Sequence, residues 1–223
     1  MKKLVVVLLG AAACVALIPC LCPAQTTYTF YPIEDAWVNE ANPAANYGNT
    51  TYLTVRDRSD NAEAYLKFSD TDLARLDGRT IASASLFLYQ YQDTYSAGDS
   101  ILLHSITGDW QENAVNWNTR PAYESAAVSA LNLTGGNLLW REWSGLEGCV
   151  ASWQAGENYG LALENGLDGA ADELFARFYS SEFADAGLRP YLRVTTTPEP
   201  VASTLFLLGG GLLSFIPRLR RKA

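Results

Sequence analysis

The sequence alternates between short apolar runs and clusters of turn-forming residues. The runs are rich in β-branched and aromatic residues, and clusters of Asn, Gly, Asp, Pro and Ser interrupt them about every ten residues. This spacing predicts strands at residues 27–31, 36–39, 52–56, 64–68, 83–92, 101–106, 174–180 and 191–195. Because no alternation of strands with helices accompanies it, the pattern predicts an all-β fold, a single-domain jelly-roll β-sandwich.

The clearest alternation lies at residues 83–92. One face of this strand carries Ala84, Leu86 and Leu88, and the other carries Phe87, Tyr89 and Tyr91. Two interpretations are open: a central strand covered on both sides, or a strand whose aromatic side is a platform for sugar rings. Helical spacing occurs within residues 146–154, which predicts a short helix covering the sheet.

The N-terminal segment has the order of a signal peptide. Positive Lys2 and Lys3 precede an uncharged apolar run, and small residues stand three and one before Gln25. This order predicts a signal peptide at residues 1–24 with cleavage near Ala24. The alternative is an uncleaved N-terminal membrane helix.

The C-terminal segment, residues 197–223, has three parts. Pro198, Glu199 and Pro200 precede an uncharged run at 201–217 and a basic tail at 218–223. The run is just long enough to span a bilayer, and the tail would stay on the cytoplasmic side. The whole segment resembles a PEP-CTERM sorting signal, which implies processing by an exosortase-type enzyme in a Gram-negative host; a simple tail anchor is the alternative.

The stretch between the two end segments is strongly acidic. From Gln25 to Thr197 there are 10 basic and 23 acidic residues, which leaves a net charge of −13. Such a charge argues against nucleic acid as a partner and makes neutral glycans easier ligands than polyanions. Cys149 is the one cysteine left after signal removal, so no internal disulfide can form.

Residues for catalysis are scarce, whereas carboxylates are abundant. His104 is the only histidine, and its position within a predicted strand favours a structural hydrogen bond over catalysis. We therefore predict a protein that is not an enzyme. Carboxylates near the ends of the predicted domain raise the hypothesis of a structural calcium ion bound by Glu34, Asp35 and Asp185, since Ca²⁺ takes oxygen ligands.

Residues 110–121, WQENAVNWNTRP, resemble the central motif of DNRLRE domains, which overlap carbohydrate-binding module family 96. Supporting segments follow in the family's order, DAWV at 35–38, NYG at 46–48, AYLKF at 64–68, NYGLAL at 158–163 and RPYL at 189–192, and they span nearly all of residues 25–196. The resemblance implies a jelly-roll β-sandwich and noncatalytic glycan binding.

Six tryptophans and twelve tyrosines supply candidates for stacking on sugars. We predict Trp110 and Trp117 to be core residues. The candidate carbohydrate-binding residues are Tyr89, Tyr91, Trp140 and Trp143.

Together these features predict a noncatalytic, exported protein of the cell surface or exopolysaccharide matrix that binds a neutral polysaccharide. It would reside in a Gram-negative envelope, anchored by its C-terminal helix until processing. Two other functions remain open: a structural or adhesive matrix protein that binds proteins, and a polysaccharide hydrolase or lyase.

Overall fold

A computed structural model describes residues 25–57, 60–94, 99–134, 136–156, 158–166 and 174–197. The expected signal peptide and the sorting motif Pro198, Glu199 and Pro200, with the apolar run and basic tail after it, lie outside the described residues. Within the described ranges, no helix is both long enough and apolar enough to cross a bilayer.

The described residues form eleven strands joined in one antiparallel network. They are β1 (Thr26–Phe30), β2 (Pro32–Asn39), β3 (Tyr52–Arg56), β4 (Ala62–Phe68), β5 (Ile81–Thr94), β6 (Ser100–Ser105), β7 (Ser129–Asn132), β8 (Leu139–Ser144), β9 (Leu161–Asn165), β10 (Phe175–Tyr179) and β11 (Tyr191–Thr196). The order is β1-β11-β5-β10-β3-β4-β9-β6-β7, with β2 beside β4 and β8 beside β5. The predicted all-β fold is confirmed, while the division into two jelly-roll layers stays a prediction.

Strand β5 organises one side of the molecule. Along one edge it pairs first with β11 and then with β10, so these two strands follow each other in line and are joined by residues 180–190. Its other edge pairs with β8, with Tyr89 opposite Trp140. Strands far apart in sequence therefore place their side chains on one common surface.

The main core lies on the inner side of the curled sheet. Because side chains alternate along a strand, every second residue of β5 points inward. The inward residues Leu86 and Leu88 are fully buried, as are Phe178 from β10 and Leu192 from β11. Helix α2 (Glu147–Gln154) covers this core with Val150 and Trp153, which confirms the helix predicted at 146–154.

A second, smaller core lies on the opposite side of β4. It comprises Ala36, Val38, Tyr65, Ile106, Trp110, Val115 and Ala162. The connection after β6, which contains the WQENAVNW motif, covers this side of the sheet. Its Trp110 indole N–H donates to the Tyr159 carbonyl at 2.9 Å, and its Asn116 caps the single turn Trp117–Thr119. The motif thus has a packing role, and the predicted burial of Trp110 is confirmed; Trp117 is half-buried against the same core.

A short helix that the sequence pattern did not reveal follows β4. Helix α1 (Asp70–Leu73) begins after Ser69, whose hydroxyl accepts from the Asp72 N–H. It buries Leu73, and the following turn buries Leu76. A helix of one turn shows too little periodicity for hydrophobic spacing to reveal it.

Candidate functional site: an aromatic face and an acidic cluster

Seven aromatic rings lie next to one another on the outer side of the sheet around β5. We call this surface the aromatic face, and it consists of Phe87, Tyr89 and Tyr91 from β5, Trp140 from β8, Tyr179 from β10, Phe183 from the following loop and Tyr191 from β11. The strand pairing brings them together, since Tyr191 is paired with Phe87 and Trp140 with Tyr89.

The rings form a continuous row of contacts. At one end Phe87 stacks on Tyr191 with centroids 4.8 Å apart, and Tyr191 meets Trp140 edge to face at 5.1 Å. In the middle Trp140 meets Tyr89 at 5.4 Å. At the other end Tyr179 stacks with Tyr91 at 4.6 Å and with Phe183 at 3.5 Å.

The main core on the inner side of the sheet holds the strands of the aromatic face in place, and the outer side of the face is accessible to solvent. Six of its rings are half-buried, and Phe87 is the exception at 7 % exposure. On β5, β10 and β11 a half-buried ring alternates with a fully buried neighbour: Tyr89 with Leu88, Tyr179 with Phe178 and Tyr191 with Leu192. Side chains held this way lose little rotamer freedom when a ligand binds.

A β-bulge widens the aromatic face at its Tyr91 end. The β5–β10 register shifts so that Phe178 pairs with Gln90 but Arg177 pairs with Gln92, which leaves Tyr91 as the additional residue. Tyr91 stacks on Tyr179 while the Arg177 guanidinium donates to the Gln92 amide oxygen at 3.3 Å. Bulges commonly redirect a side chain in this way.

Charged and polar groups border the rings. The Arg193 guanidinium lies 4.4 Å from the Phe87 ring centroid, and that of Arg177 lies 4.8 Å from Phe175. Exposed Glu142 is paired with Phe87 across β5 and β8. The face therefore offers flat apolar rings together with hydrogen-bond donors and acceptors at its margin.

Three of the four candidate carbohydrate-binding residues, Tyr89, Tyr91 and Trp140, lie together on the aromatic face. The prediction for Trp143 is wrong, because its side chain has no exposed surface and its indole N–H donates to the Ile101 carbonyl at 3.1 Å inside the main core. Residues three apart on a strand point to opposite sides, so Trp140 and Trp143 cannot share a surface. Tyr179, Phe183 and Tyr191 were not predicted from sequence, because strand pairing over long separations determines their neighbours.

Three carboxylates meet beside the middle of β2. The acidic cluster consists of Asp35, Glu112 and Glu182, and one oxygen from each lies within 4.8 Å of the other two. Asp35 Oδ2 accepts from the Ser181 N–H at 2.7 Å, and the Asp35 N–H donates to Glu112 Oε1 at 3.2 Å. The cluster thus joins β2 to two loops, one before Val115 and one after β10.

The cluster is costly for the fold when all three groups are charged. Asp35 has no exposed surface, and burial, followed by repulsion from Glu182, raises its pKa well above the ordinary value. Burial also raises the pKa of Glu112. Both effects favour either a proton or a cation at this place.

The two carboxylates that were expected from sequence to join Asp35, Glu34 and Asp185, have other partners. Asp185 accepts from the Gly187 N–H at 2.9 Å and caps the turn Ala186–Leu188. Glu34 Oε2 lies 3.5 Å from the Lys67 ammonium nitrogen. The structure therefore groups Asp35 with Glu112 and Glu182 and not with Asp185, because loops distant in sequence converge there.

Residues suited to catalysis are held in structural roles. The buried His104 ring has Nδ1 at 2.8 Å from the Glu124 carbonyl and Nε2 at 2.8 Å from Glu164 Oε1. Glycoside hydrolysis needs two carboxyl groups in contact with substrate, and Asp35 has no surface for such contact. His104 therefore has a structural role inside the fold, and Asp35 itself cannot contact a polysaccharide.

Comparison with known proteins identifies one family. Residues 26–196 match the model of carbohydrate-binding module family 96. That range includes every strand of the described residues and the whole aromatic face. No curated protein matches the chain significantly.

Proposed function

The chain belongs to carbohydrate-binding module family 96, and on that basis we propose that it is a noncatalytic protein that binds a polysaccharide along its aromatic face. The observation that carries the proposal is the unbroken row of half-buried rings from Tyr191 through Trp140 and Tyr89 to Tyr179. Each ring is fixed by a buried neighbour and open to solvent on one side.

Flat rings suit sugars for a physical reason. The C–H side of a pyranose is apolar, so it gains contact area on an aromatic ring, while its equatorial hydroxyls remain free to form hydrogen bonds at the margin. The row of rings extends over several strands, which suits a chain of sugars better than one monosaccharide. Arg193, Arg177 and Glu142 are placed to contact hydroxyl groups beside the rings.

The proposed ligand is a neutral glycan. A net charge of −13 between Gln25 and Thr197 repels a polyanion at long range. Arg177 and Arg193 are a local basic exception on this surface, and both already lie against aromatic rings. Acidic polysaccharides therefore belong in the same binding test as neutral ones.

The ends of the sequence supply the proposed cellular setting. A signal peptide at residues 1–24 would export the chain, and a PEP-CTERM segment would hold it at the envelope of a Gram-negative bacterium until an exosortase-type enzyme processes it. A glycan-binding surface exported in this way would act at the cell surface or in the exopolysaccharide matrix. The structural reason to favour a matrix glycan is the length of the aromatic face.

Affinity for polysaccharides tests the proposal directly. We would purify the full chain in a detergent without a sugar headgroup and measure its retention by insoluble or immobilised neutral and uronic-acid polysaccharides. We expect selective retention, and we expect Trp140→Ala to weaken it at least about tenfold, which is about 1.4 kcal/mol. Trp117→Ala is the matched control, since Trp117 is also half-buried but lies on the second core, under the Arg120 guanidinium.

Two results would contradict the proposal. Equal losses in the Trp140 and Trp117 variants would place binding outside the aromatic face. Uniform failure on all polysaccharides would favour the alternative of an adhesive matrix protein, for which the same apolar surface would contact another protein.

A further inference from the structure

We propose that Asp35, Glu112 and Glu182 bind a calcium ion that fastens two loops to strand β2. The proposal does not rest on glycan binding, because its three ligands are not residues of the aromatic face, although Glu182 precedes Phe183 in the same loop. It also replaces the set of ligands expected from sequence, in which Asp35 was grouped with Glu34 and Asp185.

The geometry of the cluster fits one coordination sphere. Calcium binds oxygen at 2.3–2.6 Å, so two of its ligands are at most about 5 Å apart. The three carboxylate oxygens lie within 4.8 Å of one another. The candidate ligands come from β2, from the loop before Val115 and from the loop after Tyr179, and each therefore reaches the site from a separate part of the chain.

Unpartnered buried oxygens point to a missing ligand. Asp35 is completely buried, and its Oδ1 has no hydrogen-bond donor among the described residues. Oε2 of Glu182 is likewise buried without a donor in the described part of the chain. A buried carboxylate oxygen without a donor is rare, because the oxygen loses its hydrogen bonds to water and no protein hydrogen bond replaces them. A cation between these oxygens would satisfy both.

Hydrogen bonds and close packing fix the backbone at Glu112 and the side chain of Asp35. Glu112 is held by its backbone, since the Asn46 side-chain amide donates to the Glu112 carbonyl at 2.6 Å and to the Val115 carbonyl at 2.7 Å. Gly48 is packed so tightly here that a Cβ would lie 2.3 Å from the Glu112 carbonyl oxygen. Asp35 is fixed by the Ser181 N–H.

The donor set selects a hard cation. It contains only carboxylate oxygens, and neither histidine nor cysteine belongs to it. Calcium tolerates irregular geometry and fills its remaining positions with water or backbone carbonyls, whereas Mg²⁺ demands near-octahedral ligands. Glu112 and Glu182 are only partly buried, so the site can be reached from solvent on their side.

Calcium titration with and without the ligands tests the site. On the full chain in detergent, we would follow heat of binding and thermal unfolding with CaCl₂, with MgCl₂ and with chelator. We expect Ca²⁺ to raise the Tm of the wild-type protein, because a ligand bound only by the folded state stabilises it. We expect Asp35→Asn and Glu182→Gln to weaken Ca²⁺ binding at least tenfold.

The control is Asp185→Asn. It removes one negative charge from the same loop, three residues after Glu182, and leaves the side-chain oxygen that accepts from Gly187. We expect its Ca²⁺ affinity to remain within about twofold of wild type. If Asp35→Asn fails to fold, the Ca²⁺ affinity of Glu182→Gln still tests the site. Because the Glu182 side chain is only partly buried, we expect this variant to fold.

Three outcomes would overturn the proposal. Absence of heat and of any Tm change up to about 10 mM Ca²⁺, above the weakest usual affinities, would exclude a site. A Tm that rises in Asp35→Asn and ignores Ca²⁺ would show that a proton shared with Glu182 occupies the place of the ion. Equal loss of affinity in Asp185→Asn would show that Ca²⁺ responds to loop charge and not to this cluster.

Discussion

Trp140 on β8 lies directly opposite Tyr89 on β5, and the two rings meet edge to face with centroids 5.4 Å apart. Each also contacts a second ring from a distant strand, Tyr191 for Trp140 and Tyr179 for Tyr89. The pair therefore occupies the middle of the aromatic face, where loss of one ring also changes the position of the other.

We expect substitutions of Tyr89 and Trp140 to have coupled effects on glycan binding. We expect Tyr89→Ala and Trp140→Ala each to weaken binding about tenfold, and the double variant to lose less than the product of the two losses, because neighbouring residues are not additive. Isothermal titration with a glycan retained by the wild-type protein measures the cycle. A double variant whose loss equals that product would mean that the rings bind separately.

Trp143 predicts a stability effect without a direct effect on binding. Its indole is fully buried and donates to the Ile101 carbonyl, so Trp143→Ala leaves a large cavity and an unpaired acceptor. We expect a loss of about 3–5 kcal/mol in the free energy of unfolding, measured by urea denaturation. Trp143→Phe should lose less, and a loss below about 1 kcal/mol for Trp143→Ala would contradict the burial of this side chain.

Two glycines predict opposite responses to alanine. At Gly48 a Cβ would collide with the backbone of Glu112, so we expect Gly48→Ala to lower the free energy of unfolding by about 1–3 kcal/mol. Gly148 lies in helix α2 with no atom within 4 Å of an added Cβ. We therefore expect Gly148→Ala to raise the free energy of unfolding by about 0.5–1 kcal/mol. Urea denaturation of both variants is the measurement, and the same sign at both positions would refute the explanation.

Glu63 predicts a pH-dependent stability. Burial raises the pKa of this carboxyl, more than the Tyr65 hydroxyl bond and the Arg120 charge lower it. The folded state therefore holds the proton more tightly than the unfolded chain. The corresponding stability is present at acid pH and is lost as pH rises from the ordinary pKa of 4.5 through the raised pKa of the folded state.

Glu63→Gln removes that dependence. A glutamine can still accept from Tyr65, and the ion pair it loses, at 3.5 Å to partly exposed Arg120, is weak. We expect the variant to be more stable than wild type at neutral pH and to match it at acid pH, measured by urea denaturation across that range. Exposed Glu142→Gln serves as the control, and an equal gain there would attribute the effect to net charge alone.

The sequence alone determined the fold class and the local elements with a strong period. Strand β5 was evident because apolar and aromatic side chains alternate along residues 83–92, and helix α2 because Leu146, Val150 and Trp153 share a helical spacing. The resemblance to family 96 could also be found from sequence, because its central motif at residues 110–121 is contiguous. These features depend on neighbours within about ten residues, which a linear pattern contains.

Only the tertiary structure decided which residues form each site. Tyr191 stacks on Phe87 across 104 positions of sequence because β11 pairs with β5, and Glu182 reaches Asp35 because the loop after β10 folds back over β2. The side of the sheet to which a side chain points depends on strand register. The register of β8 places Trp143 in the core and Trp140 on the outer side of the sheet. Register and loop convergence arise from the packing of the whole sheet, and no short stretch of sequence contains that information.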